Sequence, residues 1–325
     1  MARALLAALI AVATCTTADA TTWRVPGDFD TIQEAVTAAA FHDTVLLNDQ
    51  TFMGEGNRDI DFGGKPVIVR SEGGDPRSCV IDASGGEHAL VFGSHETIQT
   101  LVEGVTLTGA TAGGAVSFTN SQGTIRNCVI RGCVSCAVKC YQGSPQLVDC
   151  RFEDNTRSGL AAAVMDCAYD CSPTLDNCTV LGNEGEWLFH MTQTSNPALT
   201  NCTIAANTCN CVFSTYRSQA DLERCIIAFN SGATVLSGEG TTIECCDIYE
   251  DDPGGVLDQM GCCGNFSLDP MFCDAAAGDL RIYDVSPCAA PGNPDCGLIG
   301  SSDVGCQMTP IEALTWGVLK DLYRR

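Results

Sequence analysis

A short segment centred on a cysteine recurs along this chain, and it limits the fold more than any other feature. Six copies align: Ile125-Arg-Asn-Cys128-Val-Ile130, Leu147-Val-Asp-Cys150-Arg-Phe152, Leu175-Asp-Asn-Cys178-Thr-Val180, Leu199-Thr-Asn-Cys202-Thr-Ile204, Leu222-Glu-Arg-Cys225-Ile-Ile227 and Ile243-Glu-Cys-Cys246-Asp-Ile248. Each has an aliphatic residue three before the cysteine and an apolar residue two after it. Asn155, Asn183, Asn207 and Asn230 follow four of these cysteines by five residues, and Val102-Glu-Gly-Val105-Thr-Leu107 is a copy without the cysteine. Steps between aligned positions are 23, 22, 28, 24, 23 and 21 residues.

Strand side chains alternate, so the cysteine and the apolar residue two later share one face. The aliphatic residue three before has the wrong parity for the same strand. A bend at the Asn or Asp just before the cysteine restores it, because these residues tolerate the left-handed backbone. Each unit then reads as strand, bend, strand, turn, strand. The upstream strand includes segments such as Gly114-Ala-Val-Ser-Phe118 and Trp187-Leu-Phe-His-Met191. A coil of this size cannot bury its own apolar face, so coils must stack. The expected fold is an all-β solenoid, a right-handed parallel β-helix. Its handedness follows the preference of parallel crossovers. Eight to ten rungs at about 4.8 Å each make a rod about 40–50 Å long. The L-x-x-L-x-L spacing of a leucine-rich horseshoe is absent.

Solenoid ends must be covered. Asp30-Thr-Ile-Gln33 and Thr31-Ile-Gln-Glu34 both fit a capping box opening a short amphipathic helix from Thr31 to Ala40, with Ile32, Ala35, Val36 and Ala39 inward. Asp43-Thr-Val-Leu-Leu47 and Pro66-Val-Ile-Val69 follow as the first rungs. From Gly261 the repeat lapses and Cys, Asp, Pro and Gly dominate. The expected division is a signal peptide at 1–20, the β-helix with its N-terminal cap at 21–260, a Cys-rich C-terminal cap at 261–309 and a short helix at 310–325.

The signal peptide rests on Arg3, the apolar run from Leu5 to Val12 and the Ala18-Asp-Ala20 cleavage site. Val12-Ala-Thr-Cys15 loosely resembles a lipobox, but Thr14 is a poor residue there, so anchoring through Cys15 is the less favoured route. No later stretch approaches the ~20 apolar residues of a membrane helix. The expected location is secreted, extracellular or at the cell surface. The net charge of −23 disfavours nucleic acid and anionic lipid. It also disfavours an anionic polysaccharide unless calcium bridges the two, and calcium is the one cofactor left open. The 22 cysteines, 21 after cleavage, fit an oxidising compartment.

At this level the chain resembles the bacterial secreted right-handed β-helix proteins of the pectin lyase-like superfamily. The likeness lies in Val25-Pro-Gly-Asp-Phe-Asp-Thr-Ile-Gln-Glu-Ala-Val36, Asp43-Thr-Val-Leu-Leu47 and Ile60-Asp-Phe-Gly-Gly-Lys-Pro-Val-Ile-Val-Arg70, and in the closing Leu268-Asp-Pro-Met-Phe-Cys-Asp274, Gly278-Asp-Leu280 and Ser286-Pro-Cys288. Gly114-Ala-Val and Phe152-Glu-Asp-Asn155 also resemble repeats of polymorphic outer-membrane proteins. The resemblance implies the fold strongly and an activity weakly, since such proteins include lyases, hydrolases, esterases and adhesins.

Catalytic signatures are not legible. The Asn-Thr-Asp, Asp-Asp, His-Gly and Arg-Ile-Lys series of polygalacturonase-like enzymes is missing, and Asp251-Asp252 stands alone. Arg131, Arg151 and Arg217 have no matched acidic cluster that would make a calcium-assisted lyase. The best local set is Asp166, Glu184, Glu186 and His190, with Asp166 and His190 the weak catalytic candidates, expected to scatter along exposed turns. Cys128, Cys150, Cys178, Cys202, Cys225 and Cys246 read as an inward structural stack. Disulfides are expected where the repeat lapses: Cys133, Cys136, Cys140, Cys167, Cys171 and the group Cys262, Cys263, Cys273, Cys288, Cys296 and Cys306. Zinc at Cys133-x-x-Cys136 is disfavoured in a chain with four His. Asn177-Cys-Thr179 and Asn201-Cys-Thr203 match glycosylation sequons but read more simply as turns. The expected function is a secreted or surface β-helix protein, monomeric and non-catalytic, whose flank binds a polysaccharide or a surface protein. The alternative is a diverged polysaccharide lyase or glycoside hydrolase.

Overall fold

The computed structural model describes residues 20–157, 162–232, 234–238 and 240–307. The segment read as a signal peptide (all but Ala20), Cys15 within it and the helix expected at 310–325 lie outside these residues. Three parallel sheets run the length of a solenoid. Sheet A has ten strands, from Thr22–Val25 and Thr44–Leu47 to Thr242–Glu244. Sheet B has nine, from Thr51–Met53 to Asp247–Tyr249, and sheet C has nine, from Ile60–Asp61 to Asp252–Gly254. Neighbours in each sheet come from successive coils, as in Leu147↔Leu175↔Leu199 in sheet A.

The bend before each cysteine joins sheet A to sheet B. Asn127, Asp149, Asn177 and Asn201 hold φ of 46°, 54°, 54° and 52° there. Arg224 and Cys245 adopt the same left-handed backbone at 51° and 54°. The turn geometry, repeated coil after coil, therefore imposes this conformation on residues that do not favour it.

Inside, each cysteine of the stack lies against the coil before it. Cys128 donates to Val102 O at 3.7 Å, Cys150 to Ile125 O at 3.4 Å and Cys178 to Leu147 O at 3.4 Å. Cys202, Cys225 and Cys246 continue to Leu175, Leu199 and Leu222 O at 3.6, 3.5 and 3.6 Å. Each acceptor belongs to the aliphatic residue three before the preceding cysteine, or to Val102 in the cysteine-free copy. Burial pushes the Cys128, Cys178 and Cys225 thiols up, which keeps them as neutral, compact core groups. Beneath sheet C, Phe62, Phe92 and Phe118 stack with centroids 4.7 and 4.5 Å apart, and Phe189 stacks on Phe213 at 5.0 Å.

The turn from sheet B to sheet C is built on buried amides. Asn183 Oδ1 accepts from Asn155 N and Nδ2, both at 3.0 Å. Asn207 Oδ1 accepts from Asn183 N and Nδ2, both at 2.9 Å. Asn230 Oδ1 accepts from Asn207 N at 3.1 Å and Nδ2 at 2.8 Å. Asp251 closes the ladder, accepting from Asn230 N at 2.9 Å and Nδ2 at 2.7 Å. Asp251 is thus structural, where the sequence placed it alone in a loop.

At the N-terminal end the helix spans Ile32–Ala38, two residues short of the expected Ala40. Thr31, not Asp30, is the N-cap: its Oγ1 accepts from Glu34 N at 3.3 Å while Glu34 Oε2 accepts from Thr31 N at 3.2 Å. Lys65 Nζ donates to the carbonyls of Val36, Thr37 and Ala39 at 2.6, 2.9 and 3.1 Å, which satisfies the helix C-terminus and ends it there.

The C-terminal cap corrects the disulfide expectations. Cys273 pairs with Cys306, tying the first and last strands of the small sheet Phe272–Asp274, Asp279–Tyr283 and Val304–Cys306. Cys296 pairs with Cys245, the bend residue just before Cys246, so this bridge anchors the cap to the last repeat. The left-handed bend lets Cys245 point outward while Cys246 points inward. Cys262, Cys263 and Cys288 are free thiols, the first two exposed and Cys288 buried. Cys133, Cys136, Cys140, Cys167 and Cys171 are also free and buried, because these irregular coils still turn their cysteines into the core.

Cys288 Sγ donates to Asp247 Oδ2 at 3.2 Å, and Leu268 N donates to Asp247 Oδ1 at 3.0 Å, so a fully buried carboxyl joins the cap to sheet B. Burial pushes the Asp247 carboxyl up to about 7 from 3.8. Folded protein then binds this proton more tightly than unfolded protein. The stability present below about pH 4 falls as pH rises to about 7 and levels off above it. Asp247→Asn keeps an acceptor for Leu268 N and removes the slope. The variant should gain on the order of 2–4 kcal/mol over the native chain at pH 8 and little at pH 4. Denaturant melts across that range test this. An equal effect of the substitution at both ends contradicts it.

Candidate functional site

Most strands of sheet C have two to four residues, but three consecutive ones are longer: Ala162–Ala168, Glu184–Thr192 and Thr208–Tyr216, of seven, nine and nine. The lengthened strands broaden one flank. Alternation sends Met165, Phe189 and Phe213 into the core and leaves Asp166, His190 and Ser214 facing out, in register on neighbouring strands. Lys139 precedes Asp166 in that row and Ser237 follows Ser214.

Asp166 and His190 therefore converge, contrary to the expectation that they scatter along turns. His190 Nδ1 lies 3.2 Å from Asp166 Oδ1. Trp187 stacks on the imidazole with centroids 4.4 Å apart and planes inclined by 21°. The ring is thus held on one face and one edge, and its Nε2 has no hydrogen-bond partner among the described residues. Glu184 and Glu186 do not join the pair. They line a groove of about 320 Å³ with Arg157, Thr208 and Asn210.

Aromatic residues mark the edge where sheet C turns back towards sheet A. Tyr141 ends one strand and Tyr169 follows the next, their centroids 4.8 Å apart. Tyr216 ends the strand two coils further on, with Arg217 Cζ 5.3 Å from its ring centroid. All three tyrosines are exposed. Tyr216 and Arg217 line an open groove of about 700 Å³ with Thr194, Asn196, Gln219 and Gly240. Sequence reading missed these tyrosines because nothing marks a strand-end tyrosine as exposed until the coils are stacked. The flank of sheet A is different. Asp176, Glu223 and Glu244 stand exposed there without an aromatic among them.

The remaining candidates have structural partners or none. Arg151 Nε donates to Glu153 Oε1 at 2.6 Å, and Arg77 reaches the same oxygen at 2.8 Å, so Arg151 serves an ion pair with the buried Glu153 on sheet B. Among the described residues no group of three or more His, Cys, Asp or Glu is arranged to hold a metal ion, and no helix is long and apolar enough to cross a membrane.

Comparisons with known proteins fit the fold. A search of curated proteins finds no match. A solved pectate lyase, Pel9A, is similar at TM-score 0.53 and 11% identity, over 81% of this chain and 73% of that one. A pectin methylesterase from Aspergillus niger aligns at TM-score 0.48 and 12% identity, over 82% of this chain and 95% of its own. At 11% identity the likeness to the pectate lyase is one of fold. The family described as right handed beta helix region matches residues 58–186 and 101–248. With its three parallel sheets, the chain belongs to the right-handed β-helix family.

Proposed function

We propose that this chain binds a neutral polysaccharide along the broadened flank of sheet C. The observation that carries this reading is the exposed edge of Tyr141, Tyr169 and Tyr216 beside the Trp187–His190 stack. Sugar rings present apolar C–H faces that pack on aromatic rings, while their hydroxyls need polar partners close by. Asn196, Gln219 and Arg217 beside Tyr216, and Asp166 and His190 beside Trp187, supply such partners. The net charge of −23 favours a neutral chain over an anionic one.

Gel-retardation or calorimetric titration against neutral glucans, mannans and xylans, with polygalacturonate as the anionic comparison, tests the reading. Binding of a neutral polymer should weaken at least tenfold in Tyr216→Ala and in Trp187→Ala, an order of magnitude consistent with the loss of about 1.4 kcal/mol of stacking. Tyr216 is a surface group, so its replacement should hardly move the melting temperature, while replacing the half-buried Trp187 should lower it modestly. Failure of every neutral polymer to bind, or undiminished binding in both variants, defeats the proposal.

A second reading, polysaccharide cleavage, is favoured by one observation, the Asp166–His190 pair. It calls for turnover of a bound polymer that disappears in Asp166→Asn while binding persists. Binding without turnover leaves the first reading alone.

A further inference from the structure

Every unpaired cysteine among the described residues is buried except two, and these two are adjacent: Cys262 and Cys263 in the turn that opens the C-terminal cap. That turn is firmly built. Asn265 N donates to Cys262 O at 2.8 Å, and Gly261 N donates to Asn265 O at 3.1 Å. The Asn265 side chain accepts from Cys246 N at 2.9 Å and donates to Ile243 O at 2.9 Å. Cys245 N donates to Cys263 O at 2.9 Å, so the turn lies one coil beyond the Cys245 bend. Gly264, with φ of +77°, rests directly on the Cys245–Cys296 bridge. A Cβ there would lie 2.5 Å from Cys296 Sγ and 2.9 Å from Cys245 Sγ. The two exposed thiols are thus presented on a rigid turn laid over a disulfide.

We propose that Cys262 and Cys263 form a redox site that reacts with small-molecule disulfides and closes to a vicinal disulfide. The thiolate of Cys263 attacks one sulfur of an external disulfide. A Cys263 mixed disulfide forms and the other half leaves as a thiolate. The Cys262 thiol gives up its proton to solvent and attacks the Cys263 sulfur, the Cys262–Cys263 bond forms, and the second half leaves as a thiolate. The dithiol loses two electrons and two protons, and the external disulfide becomes two thiols.

The order of attack follows from the surroundings. Cys262 is held as a thiol by its contact with the Cys263 sulfur, and it donates to Gln259 O at 3.1 Å. Cys263 is left as the first nucleophile. Adjacent Cα atoms stand about 3.8 Å apart across a trans peptide, closer than the usual disulfide separation of roughly 4.4–6.8 Å. The product is therefore strained, and strained exposed disulfides are the readily exchanged ones. Cys245–Cys296 and Cys273–Cys306 close longer loops without that constraint and should outlast it. The site is independent of the glycan-binding flank.

Peptide mapping of native protein treated with cystine tests the proposal. N-ethylmaleimide on untreated native protein should modify Cys262 and Cys263 and leave the buried cysteines unlabelled. Cystine should yield wild-type protein two hydrogens lighter, with no retained half-cystine and no maleimide uptake. Cys262→Ser should instead trap a stable half-cystine on Cys263. Phenylarsine oxide, whose arsenic bridges two sulfurs, should block maleimide at both positions in wild type and at neither in Cys262→Ser. A stable half-cystine adduct on wild-type protein overturns the proposal, as does cystine reacting first at a buried cysteine, or native thiols that resist maleimide.

Discussion

Replacing Asn207 by Leu should destabilise the fold by on the order of 3–5 kcal/mol, among the largest losses from a single uncharged substitution in this chain. The side chain is buried between two coils and bonded to both. Its Oδ1 holds Asn183 N and Nδ2, and its Nδ2 reaches Val180 O at 3.0 Å, Ala205 O at 3.0 Å and Asn230 Oδ1 at 2.8 Å. Leucine has a similar volume and none of these bonds. Orphaning the buried Asn183 N–H alone costs about 1–3 kcal/mol, and the emptied acceptors add to it. Asp251→Ala at the end of the same ladder should cost less, because Asp251 bonds a coil on one side only. Denaturant unfolding of both variants at one pH measures the difference. A loss below 1 kcal/mol for Asn207→Leu would falsify the view that the ladder is energetically continuous.

Cys202→Asp should prevent folding altogether, while Cys202→Ala should cost about 1–2 kcal/mol. Alanine removes one sulfur from a packed column and leaves a small cavity. Aspartate places a carboxylate between Cys178 and Cys225, where the neighbouring polar atoms are thiols and carbonyls. No cation among the described residues faces it, and a lone buried charge is far costlier than a cavity. Soluble Cys202→Asp protein with a cooperative melt would show that the column is not sealed. The same comparison at Cys262, which is exposed, should show almost no penalty for either substitution.

The arrangement of the coils was legible because it depends on patterns that a chain carries locally. The aliphatic, cysteine and apolar triplet specifies which side chains face inward, and the odd offset of three residues specifies a bend at Asn127, Asp149, Asn177 and Asn201. The capping box was legible for the same reason, down to two overlapping candidates. Choosing between them needed Asn57, whose Oδ1 takes the Ile32 N–H at 3.0 Å. This partner lies 25 residues away and no local pattern names it.

The flank and the cap were not legible, and each has its own cause. Asp166 and His190 are 24 residues apart, so their contact depends on coil length. A one-residue slip in the pairing of the two strands would send one of them into the core. The tyrosine edge has no motif, since its members share only their distance from a turn. For the cysteines, spacing reports how many could bridge but not which. Cys245 sits inside the repeat yet pairs with Cys296, because its left-handed backbone turns the side chain outward to where the cap lies. Cys288 sits in the cap yet is a buried free thiol that donates to Asp247. Local sequence determined the coil, its bends and its inward face, since these are short-range matters of parity and backbone preference. Tertiary structure decided which exposed side chains meet and which sulfurs join, since these depend on the stacking offset summed over many coils.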